Sequence, residues 1–97
     1  MAKTGIRMAR NSDEHTPHPL DIALGSRVRL RRKELGLSQD QLARAVGITF
    51  QQVQKYEKGA NAMNANRLYE FGQFMHVPVA YFFEGLDASG EAAGGFV

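Results

Sequence analysis

Four side chains that form directional hydrogen bonds lie within five consecutive positions of the sequence. They are Gln51, Gln52, Gln54 and Lys55, in the segment GITFQQVQKYEKG. Glutamine carries a donor and an acceptor on one planar amide, which matches the edge of adenine, and lysine donates to guanine or to a phosphate. These residue types suit the reading of base pairs, although they are also good helix formers on any solvated face.

The phase of a helix over this segment decides which side chains point outward. With Val53 directed towards the core, a rotation of about 100° per residue places Gln51 and Lys55 on the outermost ridge, with the other two glutamines flanking it. The same phasing leaves Phe50 half buried. Its ring therefore either packs as a staple against neighbouring structure or contacts a thymine methyl group.

Capping residues and glycines divide the middle of the chain into short helical segments. The N-cap candidates are Asp21, Ser38, Thr49 and Asn64, and the glycines that can end helices are Gly36, Gly47 and Gly59. A fifth segment begins near Pro78, which suits a first helical turn because proline lacks an N–H group. No alternating strand pattern competes, so the sequence predicts an all-α fold, a compact bundle of five short helices.

The two ends of the chain have compositions that predict no fixed structure. Residues 1–20 are polar, mixed in charge and contain two prolines, and residues 87–97 are rich in glycine and alanine. We interpret them as a flexible N-terminal arm and a flexible C-terminal tail. The folded domain is expected over residues 21–86.

The second and third predicted helices are joined by a very short segment that contains Gly47. Such a connection predicts a sharp turn at this glycine, and the apolar Ile48 that follows is expected to fill the angle between the helices. A short helix, a tight glycine turn and a second helix form a helix-turn-helix, in which the second helix can enter the major groove of DNA.

The segment LGLSQDQLARAVGITFQQVQKYEKG, residues 35–59, resembles the Cro/repressor-type (XRE) helix-turn-helix family of prokaryotic transcriptional regulators. The matching positions are Gly36, Leu37, Ser38, Gln39, Leu42, Ala43, Gly47, Val53, Glu57 and Gly59. The resemblance implies a lambda-repressor-like domain of five helices that covers about two thirds of the chain.

The resemblance also implies roles for individual residues. The positions that face the bases in the family correspond to Gln39, Thr49, Phe50, Gln51 and Lys55, with Gln39 also close to a phosphate. The positions near phosphates correspond to Arg44, Lys58 and Asn61. Arg32 and Glu57 match an internal structural pair. Arg31 stands where the family commonly has an apolar residue, so either the first helix is rotated or its neighbour Leu30 is exposed.

The charge distribution favours an anionic partner. Residues 21–76 carry nine Lys/Arg against five Asp/Glu, whereas residues 77–97 carry three acids and no base. Together with this charge distribution, the family resemblance implies a sequence-specific transcriptional regulator, a repressor, that reads double-stranded operator DNA with residues 50–58. Because the family usually binds palindromic operators as homodimers, the aromatic segment at 77–86 offers Tyr81, Phe83 and Leu86 as dimer residues.

Other classes of function find less support in the sequence. Members of the family also act as antitoxins, so the alternative function is an antitoxin that binds a partner toxin and regulates its own promoter. There is no cysteine, no nucleophile–base set and no metal-ligand spacing, so neither an enzyme, a cofactor nor a metal is predicted. No apolar run is long enough to cross a membrane or to act as a secretory signal, and we expect a cytoplasmic, nucleoid-associated protein.

Overall fold

Four α-helices and one 3-10 helix follow one another in the computed structural model, which describes residues 17–86. The α-helices are α1 (Pro19–Glu34), α2 (Gln39–Val46), α3 (Phe50–Glu57) and α4 (Ala65–Met75), and the 3-10 helix is Val79–Phe83. The predicted all-α class is confirmed. The predicted count of five helices is not confirmed, since residues 17–86 contain four α-helices.

The fifth predicted helix forms only a short 3-10 segment. Pro78 precedes this segment in an extended conformation, with no side chain to cap the exposed N–H groups that follow. The segment is only five residues long, and 3-10 geometry is used in short pieces of chain. Phe82, which is completely buried, holds the segment against the domain.

Helix α1 begins two residues before the predicted cap. His18 is the N-cap, and its Nδ1 accepts a hydrogen bond from the Leu20 N–H at 3.1 Å, while Pro19 occupies the first turn. Asp21 lies inside that turn and is buried. Residues 19 and 20 of the predicted arm are therefore helical. Residues 1–16 of that arm and the predicted tail, residues 87–97, lie outside the described residues.

The caps of the next three helices follow the sequence prediction. Ser38 Oγ accepts from the Gln41 N–H at 2.9 Å, and Gln41 Oε1 accepts from the Ser38 N–H at 2.7 Å, which completes a capping box. Thr49 caps α3 and Asn64 caps α4 in the same manner, with a side-chain oxygen that accepts from the third residue beyond it. These short helices thus begin where local side-chain chemistry directs them to begin.

One core receives side chains from every element. Its buried members are Leu24, Val28, Leu42, Ala43, Val53, Tyr56, Leu68, Phe71, Met75 and Phe82. Ile48 in the α2–α3 turn is half-buried and packs against this cluster, as predicted. Because α2 and α3 are only eight residues each, this tertiary packing supplies most of what holds them helical.

The C-terminal end of α1 shows the consequence of placing Arg31 at an apolar position. Its Nε donates to the carbonyl oxygen of Met75 at 2.9 Å, where it satisfies an acceptor at the end of α4. Leu30 is exposed, which is the second of the two predicted alternatives. Arg31 thus joins two helices through a hydrogen bond rather than through apolar packing.

Candidate nucleic-acid interface

The angle between α2 and α3 is set at Gly47. This residue has a φ of 77°, in the left-handed region, where glycine has no Cβ atom to cause a steric penalty. Its N–H donates to the carbonyl of Arg44 at 3.3 Å, and the N–H of Ile48 donates to that of Ala43 at 3.0 Å. The chain therefore leaves α2 immediately, and α3 begins only three residues after the turn glycine.

Helix α3 separates an inner face from an outer face as the phasing predicts. Val53, Tyr56 and Glu57 are buried, while Gln51 and Lys55 are exposed. The helix has no acidic residue in its first turn, so no carboxylate there competes for an approaching anion. Helix α3 thus presents a polar ridge with one amide and one ammonium group, and its opposite side is packed in the core.

The two flanking glutamines differ in their surroundings. Gln52 Nε2 donates to the hydroxyl of Tyr56 at 3.3 Å, on the half-buried side of α3. Gln54 is also half-buried, and it lies about one helical turn after Phe50 on the same side of the helix. Gln52 therefore forms a hydrogen bond within α3, and Gln54 lies on the same side of the helix as Phe50.

A buried ion pair anchors the C-terminal end of α3. Arg32 of α1 donates to the Glu57 carboxylate through Nε at 2.6 Å and through Nη2 at 3.0 Å, which makes the contact bidentate. The side chains are 9% and 2% exposed, respectively. Arg32 Nη1 also donates to the carbonyl of Leu37 at 2.7 Å. The pair that the family resemblance implied therefore links α1, the following loop and α3.

Gln39 lies beside this pair rather than on an open surface. Its Nε2 donates to Glu57 Oε1 at 3.0 Å, and the side chain is half-buried at the first position of α2. An amide nitrogen carries two hydrogens, so one of them remains for a second acceptor. This hydrogen bond was not foreseen from the sequence, because the two residues are eighteen positions apart and no local pattern connects them.

The three residues matched to phosphate contacts differ in exposure. Arg44 is 80% exposed in its side chain and bonds Asp40 at 2.9 Å one turn earlier on α2. Such an exposed pair contributes about 0–1 kcal/mol, so a phosphate can replace the carboxylate at little cost. Lys58 is exposed after the end of α3, and Asn61 is half-buried in the loop before α4.

The 3-10 helix is held against α1 by Arg27, a role that no pattern in the sequence indicates. The guanidinium of Arg27 lies 4.2 Å from the centre of the Tyr81 ring, and its Nη2 donates to Glu84 at 2.9 Å. The Tyr81 hydroxyl is buried and has no hydrogen-bond partner among the described residues. Burial raises the pKa of Tyr81 above its ordinary value of 10.0. Of the three dimer candidates, Phe83 is exposed, while Tyr81 and Leu86 are half-buried.

The described part of the chain has neither a metal-binding cluster nor a membrane-spanning helix. Residues 17–86 contain no group of three or more His, Cys, Asp or Glu side chains arranged to hold a metal ion. Within the same residues, every helix is too short or too polar to span a bilayer.

Comparison with known proteins gives a consistent assignment. A family model described as helix-turn-helix matches residues 28–82. An uncharacterized HTH-type transcriptional regulator of Sinorhizobium medicae is 55% identical over 78 residues, which are 80% of this chain and 55% of that protein. An uncharacterized transcriptional regulator in the ATPase CF(0) region of Rhodospirillum rubrum is 49% identical over 76 residues, 78% of this chain and 70% of that protein.

A solved structure agrees with these sequence matches. The P22 c2 repressor, in complex with a synthetic operator, superposes with a TM-score of 0.59 at 26% identity over 64% of this chain and 94% of that one. The chain spans just over half the length of the Sinorhizobium relative. The geometry of α2 and α3, the family match over most of the folded residues and the sequence relatives all agree. The chain belongs to the Cro/repressor-type (XRE) helix-turn-helix family of prokaryotic transcriptional regulators.

Proposed function

We propose that this chain is a sequence-specific DNA-binding transcriptional repressor whose α3 enters the major groove of an operator. The observation that carries the proposal is the division of α3, with Gln51 and Lys55 exposed on one ridge and Val53 buried on the opposite side. The similar P22 c2 repressor was solved with a synthetic operator, which supports duplex DNA as the partner. The function is binding rather than catalysis, and its setting is the cytoplasm, at the nucleoid.

The residues on and around α3 divide into base-reading and phosphate-binding groups. Gln51 and Lys55 hydrogen-bond to base edges, with Thr49 and Phe50 beside them at the start of the helix. Gln39 donates its second amide hydrogen to a phosphate or to the first base. Arg44, Lys58 and Asn61 bind phosphates on either side and fix the register of the domain on the duplex.

A two-fold homodimer completes the proposed function, because one short helix reads few base pairs. The surface that includes Phe83 and Leu86 is its interface, and Leu30 of α1 is a further exposed apolar residue available to a partner. Tyr81 contributes less than the sequence suggested, since Arg27 already covers its ring. A dimer of this kind binds two half-sites about one helical turn apart, so the operator is a palindrome.

Selection of duplexes from a random library by the purified chain tests this proposal. The wild-type protein should select a palindrome. Gln51→Ala combined with Lys55→Ala should relax the base preference at fixed positions, because the exposed ridge then lacks both hydrogen-bonding groups. Gln73→Ala is the matched control, since Gln73 is an exposed glutamine on α4. Equal affinity of the wild-type protein for every duplex would refute sequence-specific binding.

Salt titration separates the phosphate contacts from the base contacts. Arg44→Ala should weaken binding to all sequences and should reduce the slope of log affinity against log salt by about 0.9 for each phosphate that Arg44 neutralises. Gln51→Ala should leave that slope unchanged, because it removes no charge. A slope that is the same in the wild-type and Arg44→Ala proteins would place Arg44 away from the DNA backbone.

A further inference from the structure

Phe50 is an exposed aromatic residue at the start of the proposed recognition helix. It is the first residue of α3, and 39% of its surface is accessible. The other large apolar side chains between residues 39 and 57 are buried or half-buried: Leu42, Val46, Ile48, Val53 and Tyr56. The Phe50 ring lies outside the buried core, which disfavours the packing staple that the sequence left open.

The residues on either side of Phe50 and one turn after it on the same side of α3 are polar. Thr49 uses its hydroxyl to accept the Gln52 N–H at 3.1 Å, so that hydroxyl is engaged in capping α3. Gln51 follows the ring on the outer ridge, and Gln54 lies about one turn later on its side of the helix. The start of α3 therefore presents one apolar surface between groups that form hydrogen bonds.

The major groove contains one apolar group that such a ring can contact. Base edges there expose donors, acceptors and the C5-methyl group of thymine, and side chains such as phenylalanine make apolar contacts with that methyl group. Methylation of cytosine at C5 places the same chemical group at the same place on the pyrimidine. An amide-bearing side chain at position 50 would read hydrogen bonds, whereas the phenyl ring has none to offer.

We propose that Phe50 recognises the 5-methyl group of a pyrimidine, in thymine or in 5-methylcytosine, beside the base pair that Gln51 reads. This inference rests on the proposed function, and it names the chemical group that one residue of the reading surface selects. Phe50 is a specificity-determining residue that acts through apolar contact, in contrast to the hydrogen bonds of Gln51 and Lys55.

A methyl-deletion scan of the selected duplex tests the inference. Each thymidine is replaced in turn by deoxyuridine, which keeps every hydrogen bond of thymine and lacks only its methyl group. One position in each half-site should lose affinity by about fourfold, as expected for one buried methyl group. Phe50→Ala should bind the thymidine and deoxyuridine duplexes equally, while the control Gln51→Ala, although weaker, should still distinguish them.

The same position identifies the source of the methyl group. Duplexes that carry thymine, cytosine or 5-methylcytosine there are compared with the wild-type protein. Tightest binding to thymine assigns the site to unmodified DNA, and tightest binding to 5-methylcytosine assigns it to methylated DNA. Either result supports apolar recognition, provided that cytosine binds more weakly than its methylated form.

Two outcomes overturn the inference, and they differ from failure of the proposed function. If Phe50→Ala discriminates thymidine from deoxyuridine as well as the wild-type protein does, Phe50 does not recognise the methyl group. If no substitution by deoxyuridine or 5-methylcytosine changes the affinity of the wild-type protein, the protein does not recognise a methyl group at all. Phe50→Leu, which keeps an apolar side chain, should retain a reduced preference and guards against loss of fold in the alanine variant. A wild-type protein that selects no sequence at all refutes the proposed function itself, and the methyl readout with it.

Discussion

Replacing Glu57 by alanine should be among the most destabilising single changes in this domain. Glu57 accepts from Arg32 at 2.6 and 3.0 Å and from Gln39 at 3.0 Å, and its side chain is only 2% exposed. Glu57→Ala leaves the guanidinium of Arg32 buried with its charge unpaired, and removal of one partner from such a pair costs about 3–5 kcal/mol. In a domain of this size each kcal/mol corresponds to about 4–8 °C in the midpoint temperature of unfolding. Thermal unfolding followed by circular dichroism should therefore show a decrease of at least about 12 °C in that midpoint.

The exposed pair between Arg67 and Glu70 is the matched control. Its nitrogen–oxygen distance is also 2.6 Å, but the Glu70 side chain is 48% exposed. Glu70→Ala should cost about 0–1 kcal/mol, because the carboxylate that it removes is largely exposed to solvent, unlike that of Glu57. Equal, small shifts in the two variants would refute the argument that burial gives the Glu57 contact its importance. Arg32→Met with Glu57→Leu should recover much of the stability, since no buried charge then remains unpaired.

Three further predictions concern stability. Gly25→Ala should destabilise the domain by about 1–3 kcal/mol in denaturant titration, because its Cβ would collide with the backbone carbonyl of Tyr56 and neither helix backbone can yield locally. His76→Gly should raise the midpoint temperature, since His76 ends α4 in the left-handed conformation at a φ of 61°, which costs a non-glycine residue about 1–2 kcal/mol. Burial raises the pKa of the Tyr81 hydroxyl in the folded state. As the pH rises, the unfolded chain therefore loses the Tyr81 proton before the folded protein does. The stability that this group contributes is intact below about pH 10 and is lost as the pH rises through the folded-state pKa. Tyr81→Phe should make that alkaline decrease smaller in unfolding curves measured across the range, because it removes the contribution of this one group; an unchanged decrease would contradict the assignment.

The elements that the sequence predicts best are those governed by local chemistry. Ser38, Thr49 and Asn64 each cap a helix through a side-chain oxygen only three residues from its donor, so a short window contains both partners. The start of α1 was misplaced because Asp21 ranks above histidine as a cap. Pro19 was the available signal, since proline is favoured in the first turn and points to the residue before it as the cap.

The parts that the sequence could not predict depend on contacts between distant positions. The stack of Arg27 on Tyr81 and the hydrogen bond from Gln39 to Glu57 join residues that are far apart in the sequence. No spacing indicates either contact, and only the packed helices bring these residues together. The phase of α3 did predict the exposure of Gln51 and Lys55, because Val53 alone fixes the rotation of so short a helix. The same phase placed Phe50 near the boundary between the buried and exposed faces of α3. At that boundary, the packing of the neighbouring turn decides whether the ring is exposed.

Helix α3 is too short to be stable alone, so the protein fixes its two ends by different means. Gly47 directs the chain into the helix at one end, and Glu57 ties the other end to α1 and α2 through Arg32 and Gln39. The exposed side chains of Gln51 and Lys55, which lie between Gly47 and Glu57, take no part in the turn or in the buried ion pair. A change at Gln51 should therefore alter which sequence is bound and leave stability almost unchanged, whereas a change at Glu57 should reduce stability and weaken binding to every sequence. Measuring both quantities for both variants separates the scaffold from the reading surface. An altered preference at the base pairs that Gln51 and Lys55 read, in a still-folded Glu57→Ala protein, would contradict that separation.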